Sequence, residues 1–294
     1  MNNGNTEAVR ERNRTEDGAL YLVATPIGNM ADISERALKV LSEVSFVAAE
    51  DTRNSGLLLS RIGIKKPLVT YFEHNKASAG PEIVARLKNG ESCALVTDAG
   101  TPAISDPGED LVKLCAAEGI PVHPIPGCCA GISALSVSAL STSRFVFEGF
   151  LPVSGRERRE RLEELSDRRM TSIIYEAPHR LIKTLADISS VCGGDRGISV
   201  CRELTKLNEE IIRGTVDEIS AHFAETEPRG EFVLCLEGGS PAHGNPESMT
   251  VAEHVDSYIA KGFSEKEAIK AAARDRGVHK NEIYAEYKIK GKSS

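Results

Sequence analysis

The sequence contains no tryptophan, and only eight Phe and six Tyr occur among its 294 residues. It also lacks a run of about 18 apolar residues, which a membrane-crossing helix requires. Residues 1–18 are polar and have no apolar core like that of a signal peptide, so we expect a disordered leader or an added segment there. We therefore expect no membrane partner and a cytoplasmic location.

An excess of positive charge is missing as well. The formal net charge is −7 at pH 7, from 36 Lys and Arg against 43 Asp and Glu. Proteins whose only partner is a nucleic-acid backbone are usually basic. If this chain binds RNA, it must do so through a local patch of its surface.

Two nucleotide-binding patterns are absent. The chain has neither G-x-x-x-x-G-K-[ST], which cradles triphosphates, nor G-x-G-x-x-G, which opens a dinucleotide site. Their absence argues against nucleoside triphosphate chemistry and against a nicotinamide reductase. A cofactor without phosphates fits the sequence better.

The cysteines follow no disulfide or metal pattern. The seven Cys are odd in number and irregular in spacing, and Cys93, Cys201 and Cys235 lie in apolar runs typical of strands. We expect buried reduced thiols and no metal site, as in a protein from a reducing compartment. The one cluster is Cys128–Cys129, and no pair of His lies close to it in sequence.

Residues 19–142 alternate between strand and helix patterns. Apolar runs such as Leu20–Thr25 and Ala94–Val96 are typical of buried strands. Segments between such runs have apolar residues at helical spacing, as in Asp32–Val44. This alternation predicts an α/β domain with a mostly parallel sheet.

A second pattern begins near Phe145. Between residues 143 and 239, several strand-like runs follow each other without a helix, which predicts a second α/β domain with a mixed or antiparallel sheet. Residues 240–249 are rich in Ser, Pro, Gly and Asn, and this composition is typical of a linker.

Residues 250–294 are predicted to form a small helical appendix. Thr250-x-x-Glu253 and Ser264-x-x-Glu267 are capping boxes, each of which marks the start of a helix. Two roles stay open for the appendix, which could bind RNA or could cap the two domains. Its candidate RNA-binding cations are Lys270, Arg274, Arg276 and Lys280.

Three turns that contain Gly or Pro follow strands of the first predicted sheet: Thr25–Asn29, Asp98–Pro102 and Pro126–Ala130. The carboxyl ends of parallel strands meet at one edge, where ligands bind in α/β proteins. We therefore expect these turns to line one cleft, although Asp and Gly are also common in ordinary turns. Farther along, Asp106 is expected to cap the next helix, with Pro107 at its first position.

Charged residues follow two strands of the second predicted domain, in Tyr175–Arg180 and Cys201–Lys206. Such runs are most often solvated surface, but two of them at corresponding strand ends favour a site. The Arg-rich segment 156–169 nearly balances its charges. We interpret it as a solvated helix with i,i+4 pairs rather than as an RNA-binding patch.

Six segments, taken in order, resemble the tetrapyrrole-methylase superfamily. They are Val23–Asn29 (VATPIGN), Ala49–Arg53 (AEDTR), Val96–Gly108 (VTDAGTPAISDPG), Glu148–Pro152 (EGFLP), Tyr175–Arg180 (YEAPHR) and Arg202–Lys206 (RELTK). The likeness extends from about Leu20 to Gly238. Within the superfamily, the chain is similar to the branch that methylates the 2′-oxygen of a cytidine ribose in the decoding region of 16S ribosomal RNA.

The resemblance implies a fold and a cofactor. The fold has two α/β domains of the tetrapyrrole-methylase type, unlike the Rossmann methyltransferases, and S-adenosylmethionine is expected to bind between them. The cofactor-binding residues carried over by position are Pro26, Asp98, Gly100, Thr101, Pro102, Pro126, Cys128, Cys129, Ala130, Phe150, Leu151 and Glu231. Cys128–Cys129 departs from the family, which usually has Pro or Ala followed by Ser, so a hydroxyl contact would be lost there.

The resemblance also implies a substrate and a mechanism. The substrate is 16S ribosomal RNA in the small ribosomal subunit, and the enzyme is expected to be a homodimer. Glu203 and Lys206 are the candidate catalytic residues, because a ribose hydroxyl is a poor nucleophile and needs a base or a cation. His179, Arg180 and Arg202 are the candidate RNA-binding residues. Alternatives are a methylase acting on a tetrapyrrole or a protein side chain, and a non-catalytic RNA-binding protein.

Overall fold

The computed structural model describes residues 15–239, 249–260 and 263–290, with side chains described as far as residue 288. Most of the expected leader and linker lies outside these ranges. The last residues of the expected leader pack on the first domain, because the Glu16 N–H donates to the Tyr21 hydroxyl (2.7 Å) and the Glu16 carboxylate lies 3.0 Å from His123 Nε2. Within the described ranges, no helix is long and apolar enough to cross a membrane.

The first sheet has five strands, all parallel, in the order β3-β2-β4-β1-β5. Its strands are β1 (Leu20–Val23), β2 (Phe46–Ala49), β3 (Leu68–Thr70), β4 (Cys93–Val96) and β5 (Val122–Ile125). The helices between them are α1 (Glu35–Glu43), α2 (Thr52–Arg61), α3 (Lys76–Lys88) and α4 (Glu109–Ala117), with a 3-10 turn at Met30–Asp32. The alternation seen in the sequence thus produces the expected parallel sheet.

Alternating residues of these short strands pack into two different cores. In β1, Tyr21 and Val23 pack in the core that contains α1, whereas Leu20 packs in the core that contains α3 and α4. The residues of β2 and β4 alternate in the same way. Helices therefore cover both faces of the sheet, and its carboxyl edge is free to carry functional loops.

The second sheet is mixed, as its pattern predicts, with the order β6-β7-β10-β8-β9. Its strands are β6 (Phe145–Phe150), β7 (Thr171–Glu176), β8 (Gly197–Arg202), β9 (Glu210–Thr215) and β10 (Phe232–Leu236). Only the β6–β7 pair is parallel among the described pairings of this sheet. Helices α6 (Gly155–Asp167), α7 (Pro178–Cys192) and α8 (Val216–Glu225) cover one face.

Helix α5 (Ala130–Val137) connects the two sheets. It follows β5 of the first sheet, but Ala134 and Leu135 pack against β7, β8 and β10 of the second sheet. The Arg213 side chain on β9 donates two hydrogen bonds to the Val137 carbonyl (2.6 and 2.9 Å) at its C-terminal end. The first sheet is therefore held against the open face of the second.

Three helices form the appendix: α9 (Val251–Ala260), α10 (Glu265–Asp275) and α11 (Lys280–Lys290). They share a small core of their own. Both predicted capping boxes are present, at Thr250–Glu253 and Ser264–Glu267. Arg276, one of the four candidate RNA-binding cations, instead donates to His254 and to the Met249 carbonyl inside the appendix.

The Arg-rich segment forms the expected helix, α6, but the helix is not purely solvated. Arg158 is buried and reaches Asp187 on α7 (2.7 Å), the Thr184 hydroxyl (2.9 Å) and the Pro152 carbonyl (2.8 Å). Arg168 on the same segment pairs with Glu148. Arg158 thus fastens α6 to α7 and to the loop after β6, and Arg168 fastens it to β6. The balanced charge of the segment did not predict these contacts.

We expect Arg158→Met to lower the free energy of unfolding by about 3 kcal/mol, because it leaves the Asp187 carboxylate without its partner in a partly buried site. The matched control is Arg156→Met, which removes an exposed i,i+4 pair with Glu160 and should cost about 0.5 kcal/mol or less. Urea denaturation of both variants measures the difference. Equal losses would contradict an interior role for Arg158.

Candidate active site

A cavity of about 400 Å³ lies between the carboxyl edge of the first sheet and the second sheet. The first domain contributes Ile27, Asp98, Ala99, Gly100, Thr101, Ile104, Ser105, Asp106, Cys129 and Ala130. The second contributes Phe150, Tyr175, Glu176, Ala177, Pro178, Cys201, Leu204, Glu231, Phe232 and Val233. The volume is typical of small-molecule sites, which measure about 300–1,000 Å³.

The three turns of the first sheet converge on this cavity. The Thr25 N–H donates to the Gly100 carbonyl (2.9 Å), and the Gly100 N–H donates to the Thr25 carbonyl (3.1 Å). The Thr101 hydroxyl donates to the Cys128 carbonyl (2.9 Å), which links the loop after β4 to the loop after β5. Gly100 has a φ of +88°, a conformation that glycine adopts without strain.

Asp106 does not cap the following helix, so this expectation was wrong. Helix α4 begins at Glu109, and its N-cap is Gly108 with a φ of +149°. A Cβ at Gly108 would lie 2.9 Å from the Cβ of Ala103, so this turn requires glycine. The Asp106 side chain lines the cavity instead.

Two loops beside the cavity contain backbone strain. Ala103 and Ser105 precede α4, and Glu203 and Thr205 follow β8; all four have φ between +50° and +67°. Such left-handed conformations cost non-glycine residues of order 1–3 kcal/mol each, and they persist where the surrounding structure holds them. Strain of this kind clusters at functional sites.

Three carboxylates of the first domain lie close together: Glu50, Asp98 and Asp106. The Asn54 amide donates to Asp98 (2.9 Å), and the Thr97 hydroxyl lies 3.4 Å from Glu50 and also hydrogen-bonds Asp106. Burial raises the pKa of Asp106 to about 6; the Thr97 bond opposes this, and the charges of Glu50 and Asp98 add to it. Burial and the charge of Asp98 also raise the pKa of Glu50.

Tyr175 forms part of the opposite wall. Its hydroxyl accepts a hydrogen bond from the Gly131 N–H (3.1 Å), which ties α5 to β7. Its ring meets Phe147 and Phe150 edge to face, with centroids 5.1 and 5.6 Å apart. Burial raises the pKa of Tyr175 to about 12, so the phenol stays neutral.

The end of β7 is held by a buried ion pair. The Glu176 carboxylate is 3.2 Å from Arg180 Nε and accepts the Thr184 hydroxyl (2.5 Å). Arg180 also donates to the Leu151 carbonyl (2.5 Å), and so it fixes the loop after β6. Arg180 is therefore engaged inside the domain, whereas its neighbour His179 is exposed.

Lys206 bridges two carboxylates beside the cavity. Its Nζ is 2.8 Å from Glu203 Oε1 and 2.8 Å from Glu231 Oε2, and Glu203 also accepts the Glu231 N–H (3.0 Å). Burial works against both charges, but these bonds hold the pKa of Glu203 below its usual value and that of Lys206 above it. Lys206 is thus a fixed cation, and Glu203 is a weak base.

The same lysine marks a close contact between the domains. A Cβ at Gly28, in the turn after β1, would lie 2.4 Å from Lys206 Cγ and 3.0 Å from Thr205 Oγ1. Both atoms belong to the strained loop after β8. The glycine therefore lets the loops of the two domains meet.

The structure brings most of the expected cofactor-binding residues together. Along the cavity lie Asp98, Gly100, Thr101, Cys129, Ala130, Phe150 and Glu231. Outside its lining lie Pro26, Pro102, Pro126, Cys128 and Leu151, the last in the core of the second domain. Glu203 and Lys206 are also outside the lining, next to Leu204 and Glu231, which belong to it. Arg202 donates to the Arg229 carbonyl (2.6 Å) and pairs with Glu210 (3.4 Å).

The candidate site residues from the sequence do not include five lining residues with polar or titratable side chains: Ser105, Asp106, Tyr175, Glu176 and Cys201. The sequence did point to two of these residues, because Tyr175 and Glu176 begin the segment Tyr175–Arg180 that resembles the tetrapyrrole-methylase superfamily. Asp106 gave a misleading signal, because Asp before Pro fits a helix start.

The cavity is acidic. Its lining includes four carboxylates, Asp98, Asp106, Glu176 and Glu231, and no Lys, Arg or His occurs among the described residues that line it. Such a lining favours a ligand that carries positive charge. It also disfavours free phosphates.

The family model and the sequence relatives that match this chain are both methyltransferases. The family model for tetrapyrrole (corrin/porphyrin) methylases matches residues 19–220. Proteins called ribosomal RNA small subunit methyltransferase I are 48% identical in Halalkalibacterium halodurans and 46% identical in Bacillus subtilis. These matches cover 93% and 94% of this chain and 96% of each relative.

Solved structures share the fold at low identity. A cobalt precorrin-4 methyltransferase has a TM-score of 0.55 and 18% identity, over 74% of this chain and 94% of that chain. A uroporphyrin-III C-methyltransferase from Thermus thermophilus, in complex with S-adenosylhomocysteine, has a TM-score of 0.55 and 15% identity, over 74% and 97%. The likeness confirms the two-domain α/β fold class.

We expect Gly28→Ala to destabilise the protein by about 1–3 kcal/mol, because its Cβ overlaps the Lys206 side chain near its root. The matched control is Gly56→Ala in α2, where a Cβ would make ordinary contact with Leu68 (3.5 Å). That control should gain about 0.5–1 kcal/mol, as alanine does in a helix interior. Urea denaturation measures the free energy of unfolding of both variants. A Gly28→Ala variant as stable as the wild type would contradict the close contact between Gly28 and Lys206.

Proposed function

Because the chain belongs to the tetrapyrrole (corrin/porphyrin) methylase family, we propose that it is an S-adenosylmethionine-dependent methyltransferase acting on 16S ribosomal RNA of the small ribosomal subunit. The proposed substrate rests on one observation. The chain is 48% and 46% identical, over nearly its whole length, to proteins called ribosomal RNA small subunit methyltransferase I. The proposed acceptor is the 2′-oxygen of a cytidine ribose, which the likeness of Tyr175–Arg180 to that branch supports.

The cavity fits the cofactor in charge and in size. S-adenosylmethionine has a positive sulfur, a positive amino group and a negative carboxylate, so its net charge is positive. Of the four carboxylates in the described lining, Glu176 and Glu231 are paired with Arg180 and Lys206, and Asp98 and Asp106 form no ion pair in the described part of the chain. When bound there, it supplies an activated methyl group. The residues proposed to hold it are the lining members Asp98, Gly100, Thr101, Cys129, Ala130, Phe150 and Glu231. The remaining candidates, Pro26, Pro102, Pro126, Cys128 and Leu151, are proposed to support this wall through the backbone.

Lys206 is proposed to stabilise negative charge on the ribose oxygen as its proton leaves. Its raised pKa keeps it a cation, and a fixed cation lowers the energy of a developing oxyanion. Glu203 is proposed to hold Lys206 in position. The exposed His179 is proposed to contact RNA phosphates. The other two RNA-binding candidates are instead engaged within the protein, Arg180 by Glu176 and the Leu151 carbonyl, and Arg202 by the Arg229 carbonyl and Glu210.

Methyl transfer from labelled cofactor tests the substrate. We expect label in the 16S RNA of purified small subunits, at a cytidine whose 3′ linkage resists alkaline cleavage because its 2′-oxygen is methylated. A porphyrin precursor and bulk protein serve as competing acceptors. Transfer to either of these instead of RNA, or RNA binding without cofactor binding in calorimetry, would contradict the proposal.

Lys206→Ala should lower the turnover number by about 100-fold or more, because it removes the proposed oxyanion-stabilising charge. Cofactor affinity, measured by calorimetry, should stay as in the wild type. Lys183→Ala, at an exposed lysine on α7, is the control and should leave turnover unchanged. Normal turnover of Lys206→Ala would remove the lysine from the mechanism.

Free thiols support a proposed cytoplasmic location. All seven Cys are unbonded to each other, and Cys93, Cys115, Cys201 and Cys235 are buried. Cys93, Cys201 and Cys235 are thus buried, as the sequence predicts. Proteins with many free thiols are typical of reducing compartments.

We also propose that the protein is a homodimer and that a second copy covers α5. This helix has the sequence AGISALSV, and its exposed side includes Ile132 (50% exposed) and Val137 (36%). Exposed large apolar side chains on a mainly apolar helix favour an interaction surface, here with the exposed Ser136 beside them.

Ile132→Glu should convert a dimer of two 31.7-kDa chains to a monomer in size-exclusion chromatography with light scattering, because it places a charge in the proposed interface. Ile182→Glu is the matched control, since Ile182 is equally exposed (53%) but lies on α7. A wild-type monomer, or a dimer that only Ile182→Glu disrupts, would contradict the proposed interface.

A further inference from the structure

We propose that Arg53, in the first turn of α2, binds a phosphate of the substrate RNA at the mouth of the cavity, an inference that rests on the proposed function. Arg53 ends Ala49–Arg53, one of the six segments that resemble the superfamily, yet the described lining of the cavity includes none of its residues. Its guanidinium lies on the surface beside the cavity, where a substrate too large to enter would be held.

The neighbour of Arg53 in the chain places it beside the cavity. The Asn54 amide donates to Asp98 Oδ2 (2.9 Å), and Asp98 lines the cavity. Helix α2 begins directly after the carboxyl end of β2, at the edge of the first sheet that faces the second. The pKa of Arg53 is raised, first by its hydrogen bond with Asp51 and also by the charge of Asp98. Arg53 therefore belongs to the first-domain side of the mouth.

Asp51 holds the Arg53 side chain through two hydrogen bonds. Arg53 Nε is 3.1 Å from Asp51 Oδ1 and Nη2 is 2.7 Å from Oδ2, so the two planar groups meet side by side. Asp51 is itself fixed, since it is the N-cap of α2 and accepts the Arg53 backbone N–H (2.8 Å). The side-chain bonds first, and then the backbone bonds, lower the pKa of Asp51 to about 2, so the pair persists at neutral pH.

The rest of the Arg53 guanidinium is open to solvent. An arginine side chain has five N–H donors, and Asp51 takes two of them, which leaves three. Within the described residues, Asp51 is the one hydrogen-bond partner of this side chain, which is 88% exposed. The backbone N–H groups of Arg53 and Asn54 already bond Asp51, so an anion would meet the side chain rather than the helix end. A phosphate can accept two donors of such a fixed plane.

Four other cations at the ends of the loops around the cavity are already engaged. Lys206 is 30% exposed and bridges two carboxylates. Arg180 and Arg202, at 18% and 25% exposed, bind acceptors inside the second domain. Lys76, at the start of α3, bridges two carboxylates at 2.7 Å each. Arg53 is far more exposed than any of these four, so it is the more accessible to a large anion.

Arg229, on the loop before β10, has a looser pair of the same kind. Both of its side-chain hydrogen bonds go to one oxygen, Glu227 Oε2 (2.7 and 3.1 Å), and Glu227 is 74% exposed. Asp51 offers both of its oxygens and is 26% exposed. Arg53 is therefore the better fixed of these two exposed arginines, and a group that is already in position loses less entropy when it binds.

Negative charge around the mouth makes such a cation necessary. Glu50, Asp98 and Asp106 lie close together at this edge of the first sheet, and the whole chain has a formal net charge of −7. These acids repel a phosphodiester backbone, and no Lys, Arg or His occurs among the described residues of the lining. A phosphate held by Arg53 outside the cavity leaves the acceptor ribose free to reach the methyl group.

Arg53→Gln removes the charge and keeps much of the side-chain length. With S-adenosylhomocysteine bound, we expect its dissociation constant for unmethylated small ribosomal subunits to rise about 10-fold at about 0.1 M salt. The slope of log affinity against log salt should become shallower by about 1, as on the loss of one phosphate contact. Calorimetric cofactor affinity should not change, and the single-turnover rate at saturating subunits should stay within about twofold of the wild type.

The matched control is Arg61→Gln, at the last residue of the same helix. Arg61 is also exposed, and it lies about 12 Å from Arg53 along the axis of α2. This variant should keep the wild-type affinity and salt slope. Arg53→Lys keeps the charge and should bind within about threefold of the wild type, with an unchanged slope. Equal weakening by Arg61→Gln, or a Lys variant as weak as Arg53→Gln, would overturn the assignment.

Failure of this inference differs from failure of the proposed function. Wild-type affinity and slope in Arg53→Gln would remove Arg53 from the RNA contact, although methyl transfer to the subunits continues. Weaker cofactor binding by Arg53→Gln would make the guanidinium a ligand of the cofactor carboxylate, and a lower melting temperature would make it a structural residue; either result overturns the proposal. A wild-type protein that transfers no methyl group to the subunits would refute the proposed function, and the inference with it.

Discussion

The close approach of helix α5 to the second sheet is the contact on which the site depends. A Cβ at Gly131 would lie 3.3 Å from Ile173 Cγ2 and 3.4 Å from the Tyr175 hydroxyl, so a side chain here would push the helix or its neighbours apart by a few tenths of an ångström. The hydrogen bond from the Gly131 N–H to Tyr175 fixes this position. Since α5 follows β5 after a four-residue turn, the carboxyl edge of the first sheet is held over the second sheet, and the cavity is the space between them.

The cavity collects features that would be unfavourable elsewhere. Left-handed residues occur on both of its sides, at Ala103, Ser105, Glu203 and Thr205, and four carboxylates line it. An isolated loop would keep neither feature. Its left-handed residues would relax to ordinary backbone conformations, and its carboxylates would separate and become solvated. The rigid cores on both faces of the first sheet and on one face of the second offset these costs. Stability is therefore concentrated in the sheets, and reactivity in the loops between them.

Local rules predicted much of the fold and less of the site. The alternation of strands and helices, the mixed second sheet and the converging turns all follow from short-range patterns. The same rules failed where a distant segment decides the outcome. Asp106 fits a helix cap locally, but the N-cap is Gly108, at a φ of +149° and so close to Ala103 that a side chain would not fit, and the helix begins at Glu109. Arg158 and Arg180 sit in charged runs typical of surface, but buried acceptors bind both guanidinium groups.

The carboxylates that line the cavity differ in whether a cation binds them, and this difference divides them into two groups. Glu176 and Glu231 face it, but a guanidinium and an ammonium respectively bind them, so their charges position Arg180 and Lys206. Asp106 has no such cation in the described part of the chain, and burial, with smaller contributions from Glu50 and Asp98, raises its pKa. The ion-paired carboxylates of the lining thus belong to the second domain, and Asp98 and Asp106, which form no ion pair in the described part of the chain, belong to the first. Groups from two domains can act on one ligand only if the domains are held in a fixed relation. The contact at Gly131 ties the first sheet to the second, so the helix that joins the sheets matters as much as the groups that line the cavity.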